Sequence, residues 1–105
     1  MKMLMIVARD SMAKELEELL HANGITAYSV IDKVEGRGQT GIAGTFHYNV
    51  YTGSIHFNLM ILAVLASEQV DRAVNALKAF SDARKQIPKA EPLALKLFAF
   101  PCEEL

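Results

Sequence analysis

The feature that most constrains the fold of this chain is a weak internal duplication. The segment LMIVARDSMAKELEELL (residues 4–20) resembles the segment LMILAVLASEQVDRAVNAL (residues 59–77). Each begins with a short, continuously apolar run, which is typical of a strand covered on both faces. Each then passes through polar residues into a pattern whose apolar positions recur at the spacing of one helical face. The chain is therefore predicted to contain two strand–helix units of the same design.

A further strand is predicted after each helix. Asp10 and Ser11 are expected to cap the first helix, and Ser67 the second, because their side-chain oxygens accept hydrogen bonds from unpaired amides. Gly24 stands where helices commonly end in a left-handed residue. Residues 25–34 are rich in β-branched and aromatic side chains, which favours a strand. The last strand is predicted at residues 93–100, ended by Pro101.

The resulting order is β-α-β, a long loop, and β-α-β within a single domain, residues 1–105. This order indicates an α+β, ferredoxin-like βαββαβ fold, in which an antiparallel four-stranded sheet carries two helices on one face. The first and third strands are central in this topology, which fits their uniformly apolar sequences. Asp32, Lys33 and Lys96 fall on the second and fourth strands, as expected at the edges. The long loop between strands 2 and 3, residues 36–56, is called the central loop below.

Composition and charge exclude several classes of function. The net charge is −1 and the basic residues are scattered, so nothing favours binding to nucleic acid or to an anionic membrane. The apolar start, Met3 to Ala8, is too short for a signal peptide or a membrane span. The single cysteine, Cys102, is expected to be a small apolar residue near a chain end. We expect a cytoplasmic protein without nucleic-acid partners or membrane insertion.

Two interpretations of the central loop involve small ligands. In GRGQTG, residues 36–41, glycines would let backbone amides converge on an anion and Arg37 would add a bidentate donor. The segment is neither a Walker A motif nor a Rossmann fingerprint. A turn at residues 50–53 would place His47 opposite His56 in a hairpin, close enough to share a metal ion. Two histidines do not complete a tetrahedral site, so hydrogen-bonded or solvated histidines are the expectation. His21, on the polar face of the first helix, is expected to be solvated.

The other two interpretations are catalysis and protein recognition. Ser54 and His56 would share one face of a strand, but no third orienting group or oxyanion motif accompanies them, so we predict no enzyme. Phe46, Tyr48 and Tyr51 are amphipathic contact residues in a small, polar stretch, which is typical of a binding tip. The favoured interpretation is a loop that orders around a ligand or a partner, with glycines permitting more than one conformation.

The chain resembles the PII signal-transduction proteins, the nitrogen-regulatory family. The resemblance rests on the order of elements, on GITAYSVIDKVEGRGQTG (residues 24–41) and on LAVLASEQVDRAVNAL (residues 62–77). It implies a homotrimer whose inter-subunit clefts bind ATP, ADP or AMP, often with a small anionic metabolite, and no covalent cofactor. The central loop would correspond to the T-loop of the family, which contacts a partner enzyme or membrane transporter.

Carried over position by position, the resemblance places Ser29 and Val64 beside the adenine and ribose of a nucleotide. It places a second set near the phosphates or the metabolite: Gly36, Arg37, Gly38, Gln39 and Gly41. The family pattern at the start of the loop, G-x-G-R-Q-K-G, is shortened here by one residue and lacks its lysine.

The glycine-rich T-G-x-x-G-D-G loop that precedes the last strand in the family is also missing. Arg84, Lys85 and Lys89 are left as candidate phosphate contacts in that region. The resemblance therefore implies a divergent PII-like sensor of an adenine nucleotide or of a small anion such as bicarbonate or 2-oxoglutarate. The alternative is a CutA-like metal-binding or metal-tolerance trimer that uses His47 and His56.

Overall fold

The computed structural model describes residues 1–34, 36–38, 41–43, 47–49, 54–90 and 94–105, and between residues 36 and 56 it describes the backbone alone. A short 3₁₀ turn, Asp10–Met12, separates the first strand from the first helix. The strands and helices follow in the order β1 (Lys2–Arg9), α1 (Ala13–Ala22), β2 (Ser29–Val34), β3 (Gly36–Gly38), β4 (Gly41–Ala43), β5 (His47–Asn49), β6 (Ser54–His56), β7 (Asn58–Leu65), α2 (Ser67–Lys85) and β8 (Lys96–Pro101).

The main sheet has the predicted ferredoxin-like topology. Its four strands run in the order β2-β7-β1-β8, and each neighbouring pair is antiparallel. The continuously apolar strands β1 and β7 are central, and the strands with charged residues, β2 and β8, form the edges. The short hairpins β3–β4 and β5–β6 are separate two-stranded sheets within the central loop.

The core lies between the two helices and one face of this sheet. Alternate residues of β1 and β7 meet the apolar stripes of α1 and α2, as the sequence pattern predicts. Its largest fully buried side chains are Leu4, Ile6, Leu16, Leu20, Ile25, Leu59, Ile61 and Leu77. Each contributes about 1.5–3 kcal/mol through removal of its surface from water. Among the helices of the described residues, none is long and apolar enough to cross a membrane.

Helix α1 ends at the predicted glycine. Gly24 has a φ of 78°, its N–H donates to the carbonyl of His21 at 3.0 Å, and the Ile25 N–H donates to the carbonyl of Leu20 at 2.9 Å. These two bonds form a Schellman motif, in which the apolar residue after the glycine packs back on the last turn. Ile25 therefore belongs to the helix end, and the prediction of a strand from residue 25 is wrong, since β2 begins at Ser29.

The start of α2 and the limits of the outer strands also differ from the predictions. Ser67 is the first helical residue, and the N-cap is Ala66, whose N–H donates to the Gln69 side chain at 3.1 Å. Strand β1 extends to Lys2 because ladder pairing continues past the apolar run. Strand β8 begins at Lys96, three residues later than predicted.

The second face of the sheet, called the open face below, is apolar as well. Both helices lie on the other face. Within one chain β1 and β7 are therefore covered on one face only, although their apolar sequences predict that both faces are covered. The pairing register assigns nine apolar residues to the open face: Met3, Met5, Val7, Ile31, Met60, Leu62, Val64, Phe98 and Phe100. Val64 is 48% exposed and Phe98 is 53% exposed. A contiguous exposed apolar surface of this kind is typical of a site that contacts another molecule.

Candidate ligand site at the base of the central loop

The central loop leaves the sheet through an irregular end of β2. The first three residues of β2 pair regularly with β7, and the register then shifts before Val34 pairs with Asn58. Lys33 lies in this irregularity with a φ of 56°, in the left-handed region that side chains rarely adopt. Since a bulge bends the strand and increases its twist, the regular pairing of β2 is interrupted at the base of the central loop.

The glycine-rich start of the loop forms a short hairpin directly beyond β2. Strand β3 pairs with β4 in the register Gly36 opposite Ala43, Arg37 opposite Ile42 and Gly38 opposite Gly41. Four of the predicted phosphate or metabolite residues therefore share one hairpin. The fifth, Gln39, lies outside the described residues.

The far end of the central loop is held by Asp10. The Phe57 N–H donates to the Asp10 carboxylate at 3.1 Å, and the Asp10 N–H donates to the Phe57 carbonyl at 2.9 Å. The prediction that Asp10 or Ser11 caps α1 is wrong, because the 3₁₀ turn moves the helix N-cap to Met12, which makes no side-chain capping bond. The carboxylate instead fixes the point at which the loop enters β7.

Replacing Asp10 with alanine should lower the free energy of unfolding by about 1–2 kcal/mol, because the Phe57 amide loses a charged acceptor in a partly buried place. Asp10→Asn is the matched control, since its amide oxygen still accepts from the same N–H. Urea denaturation of both variants measures the difference. Equal losses in the two variants would show that the hydrogen bond to Phe57 is not what stabilises the loop end.

Ser29 and Val64 lie on the same face of two neighbouring strands. Ser29 pairs with Leu62, which is two residues before Val64 on β7, so both residues belong to the open face. Diagonal neighbours of this kind are about 7–8 Å apart. Both side chains are exposed. A small polar residue beside an exposed valine leaves room for a planar ring to lie against the strands, at the edge from which the central loop departs.

Lys89 lies in the part of the chain that leads to the opposite edge of the sheet. It belongs to the connection between α2 and the opposite edge strand, β8, and it is exposed. With strands about 4.8 Å apart, the two edges of a four-stranded sheet are separated by about 14 Å. Lys89 therefore belongs to the segment that leads to the edge opposite Ser29, although this connection and the central loop reach the same end of the sheet.

Strained backbone is concentrated at the base of the central loop and in the connection before β8. Among the described residues, the non-glycine residues with positive φ are Lys33, Lys89 and Ala94, at 56°, 62° and 50°. The first lies at the base of the central loop and the other two lie in the connection before β8. Such conformations persist where the surrounding structure requires them, and they are enriched at ligand sites. Their placement supports the two segments as functional.

A polar network beside β2 was not predicted from the sequence. The Tyr28 hydroxyl donates to the Glu17 carboxylate at 2.9 Å, and His21 Nε2 lies 2.9 Å from the same hydroxyl. Because the tyrosine proton is given to Glu17, His21 is the donor in the second bond. Burial and the bond to Glu17 raise the pKa of Tyr28. The expectation that His21 is simply solvated is wrong: it is exposed but hydrogen-bonded.

The predicted recognition and metal residues fall partly within the described backbone. Strand β5 pairs with β6 so that His47 lies opposite His56, and this predicted register is confirmed. Tyr48 lies opposite Ile55 in the same hairpin. Phe46 and Tyr51 lie outside the described residues.

The described residues contain no alternative site for the predicted chemistry. A cavity of about 290 Å³ between α2 and β8 is lined by Lys78, Ser81, Asp82, Lys85, Leu95 and Leu97, and it holds none of the residues in the predictions above except Lys85. Over the same described part of the chain, no group of three or more histidine, cysteine, aspartate or glutamate residues is arranged to hold a metal ion.

Comparison with known proteins identifies relatives by sequence pattern and by fold. The family model described as "Nitrogen regulatory protein P-II" matches residues 1–99. No match was found among curated proteins.

The similar solved structures include CPII, a nitrogen regulatory PII-like protein from Thiomonas intermedia K12. Its complex with ADP, AMP and bicarbonate has a TM-score of 0.66 and 18% identity, covering 94% of this chain and 86% of that one. Its complex with ADP and bicarbonate also gives 0.66 and 18%, covering 94% and 82%. The apo form gives 0.64 and 16%, covering 94% and 85%. At these identities the similarity shows a shared fold.

Proposed function

The chain belongs to the nitrogen regulatory protein P-II family, and we propose that it is a non-enzymatic cytoplasmic sensor. In this proposal it binds an adenine nucleotide, a small anion such as bicarbonate or 2-oxoglutarate, or both, in clefts between the subunits of a homotrimer. The central loop then regulates a partner enzyme or membrane transporter. The observation that carries the proposal is the position of the glycine hairpin, which follows directly on β2, the edge strand whose first residue, Ser29, lies on the open face together with Val64.

The open face supports assembly into a homotrimer. Nine apolar residues on one side of the sheet need a cover that the two helices, on the other side, do not provide. The two edge strands are a second reason, since unpaired strand edges are commonly protected by neighbouring subunits. A closed ring of subunits would bring the β8 edge of one chain to the β2 edge of the next. Lys89 would then approach Ser29 and Val64 of its neighbour.

The charges near this cleft favour a ligand with few phosphates. Lys85 lies 3.7 Å from Asp82, and Arg84 is engaged by contacts within its own chain. Arg37 and Lys89 are then the cations that we assign to the ligand. Two cations suit a nucleoside monophosphate or diphosphate, with bicarbonate as a second anion. These are also the ligands bound to CPII from Thiomonas intermedia K12.

The proposed regulation of a partner through the central loop depends on the attachment of its two ends and on its contact residues. The loop is attached at the bulge around Lys33 and at the pair of hydrogen bonds between Asp10 and Phe57. A ligand held by the β3–β4 hairpin would act on the segment that follows. We assign Phe46, Tyr48 and Tyr51 to partner binding, because aromatic side chains supply much of the energy at protein interfaces.

Calorimetric titration with ATP, ADP, AMP and cyclic AMP, each with and without bicarbonate and 2-oxoglutarate, tests the proposed function. We expect ADP or AMP to bind with micromolar affinity at one site per subunit, and more tightly than ATP. Arg37→Ala should weaken this binding by about tenfold to a hundredfold through loss of a charged contact. Arg72→Ala, on an exposed position of α2, removes the same charge and should have no effect. No heat with any of these ligands would rule out the nucleotide site.

A further inference from the structure

The cavity between α2 and the edge strand β8 has a charged wall and an apolar floor. Its volume is about 290 Å³. The wall is one face of the second half of α2, with the residues Lys78, Ser81, Asp82 and Lys85. The floor is formed by Leu95 and Leu97. Leu97 pairs with Ile6, which is fully buried in the core, so the cavity lies on the helix side of the sheet and away from the open face.

The floor offers apolar surface to a ligand. Leu95 and Leu97 pack against the hydrophobic core, but each side chain is only partly buried. An apolar group that lies on these two leucines would remove their remaining surface from water, which is favourable. The aliphatic part of the Lys78 side chain can extend the same surface while its ammonium group stays hydrated.

The charges of the wall distinguish its two ends. Lys85 Nζ lies 3.7 Å from Asp82 Oδ1. Lys78 precedes Lys85 by about two helical turns, or about 10 Å along the axis. It is exposed, and within the described part of the chain it makes no ion pair or hydrogen bond. Asp82 and the negative C-terminal end of the helix both disfavour an anion near Lys85, and the field of a helix end falls off within its last turn. A single anionic group is therefore expected at the Lys78 end.

We propose that this cavity binds a small amphipathic monocarboxylate. The carboxylate contacts the Lys78 ammonium group and the Ser81 hydroxyl, and the apolar tail lies on Leu95 and Leu97. A water molecule occupies about 30 Å³ of liquid, so a cavity of about 290 Å³ holds about ten non-hydrogen atoms. Octanoate is a ligand of this size. One available cation beside Asp82 favours a single negative charge over the larger charge of a phosphate group. The site is formed by α2, β8 and the residue that precedes β8, and it does not depend on the proposed nucleotide site.

Calorimetric titration of the full-length protein with octanoate tests this site. We expect submillimolar binding at one molecule per subunit. Acetate lacks the tail and octylamine carries the opposite charge on the same tail, so neither should bind in this range. Lys78→Gln should weaken octanoate binding by about tenfold through loss of a charged contact. Lys14→Gln removes an exposed lysine from α1 and should leave the affinity for octanoate unchanged.

Ser81→Leu tests the cavity itself, because leucine would fill the space without changing the charge. This variant should keep the melting temperature of the wild type or exceed it, and it should no longer bind octanoate. Ala79→Leu makes a similar enlargement at an exposed position of α2 outside the cavity, and it should bind octanoate normally. The proposal would be overturned by unchanged binding in Ser81→Leu, by equal losses in Lys78→Gln and Lys14→Gln, or by the absence of submillimolar binding to the wild type. Binding of acetate or octylamine as tight as that of octanoate would overturn it as well.

Discussion

Replacing Leu62 with aspartate is expected to convert the proposed homotrimer into folded monomers. Leu62 lies in the middle of the open face, where it pairs with Ser29 on one side and Met5 on the other. It is half-buried within one chain, so a single subunit can keep an aspartate hydrated there. In the trimer the same carboxylate would be removed from water without a partner charge, which costs several kcal/mol per ion.

The fold of the subunit should survive this change. Aspartate disfavours a strand by about 1 kcal/mol or less, which is small beside the stability of a domain of this size. We therefore expect the far-UV circular dichroism of Leu62→Asp to remain native, while light scattering after size-exclusion chromatography shows one chain in place of three.

Ala79→Asp is the control for the assembly experiment. Ala79 is exposed on α2, in the layer of helices on the other side of the sheet, and its variant should remain a trimer. A trimeric Leu62→Asp protein would show that the open face is not the subunit interface. Dissociation of both variants would show that the effect is not specific to that face.

The second large effect is expected at the two halves of the proposed nucleotide site. Ser29→Glu would place a longer, charged side chain where the small serine leaves room for the adenine and ribose. Lys89→Glu would replace a phosphate contact with a like charge, which costs several kcal/mol. Each variant should therefore lose at least about a hundredfold in affinity for ADP. Ser29 lies on the open face opposite Leu62, so chromatography of each variant checks that the trimer is retained before affinities are compared.

Much of the fold could be predicted because it depends on local patterns. The apolar stripes of the helices predicted which residues of α1 and α2 are buried, and Gly24 marked a helix end that the Schellman bonds confirm. The start of β2 could not be predicted in the same way. Ile25 has the β-branched side chain of a strand residue, but its amide bonds to Leu20 and its side chain completes the helix end. Strand propensity gave way to the hydrogen bonds that end the helix.

Contacts between distant parts of the sequence were the least predictable. Asp10 has the sequence context of a helix cap, yet it bonds to Phe57, 47 residues away. Tyr28 reaches Glu17 across the turn that follows α1, and neither residue has a local pattern that indicates the other. In the central loop the facing of His47 and His56 was predictable, because it depends only on the length of the turn between two strands.

The candidate ligand site was predicted as a set of positions, and the fold shows that they lie near opposite edges of the sheet. Ser29 and Val64 meet on one edge of the sheet, whereas Lys89 belongs to the connection before the opposite edge. The sequence of one chain does not show how neighbouring subunits are arranged around it. The separation of about 14 Å between the edges makes a shared site depend on a second chain.

Mixed trimers of the Ser29→Glu and Lys89→Glu chains test this shared site most directly. Each variant alone should bind no ADP at concentrations that saturate the wild type. In trimers co-expressed from equal amounts of the two chains, a site is intact where a chain with native Ser29 faces a neighbour with native Lys89. For random assembly of a closed ring, about a quarter of the sites should be restored with wild-type affinity. Mixed trimers that bind no ADP, while the wild type binds one per subunit, would contradict a site formed between subunits.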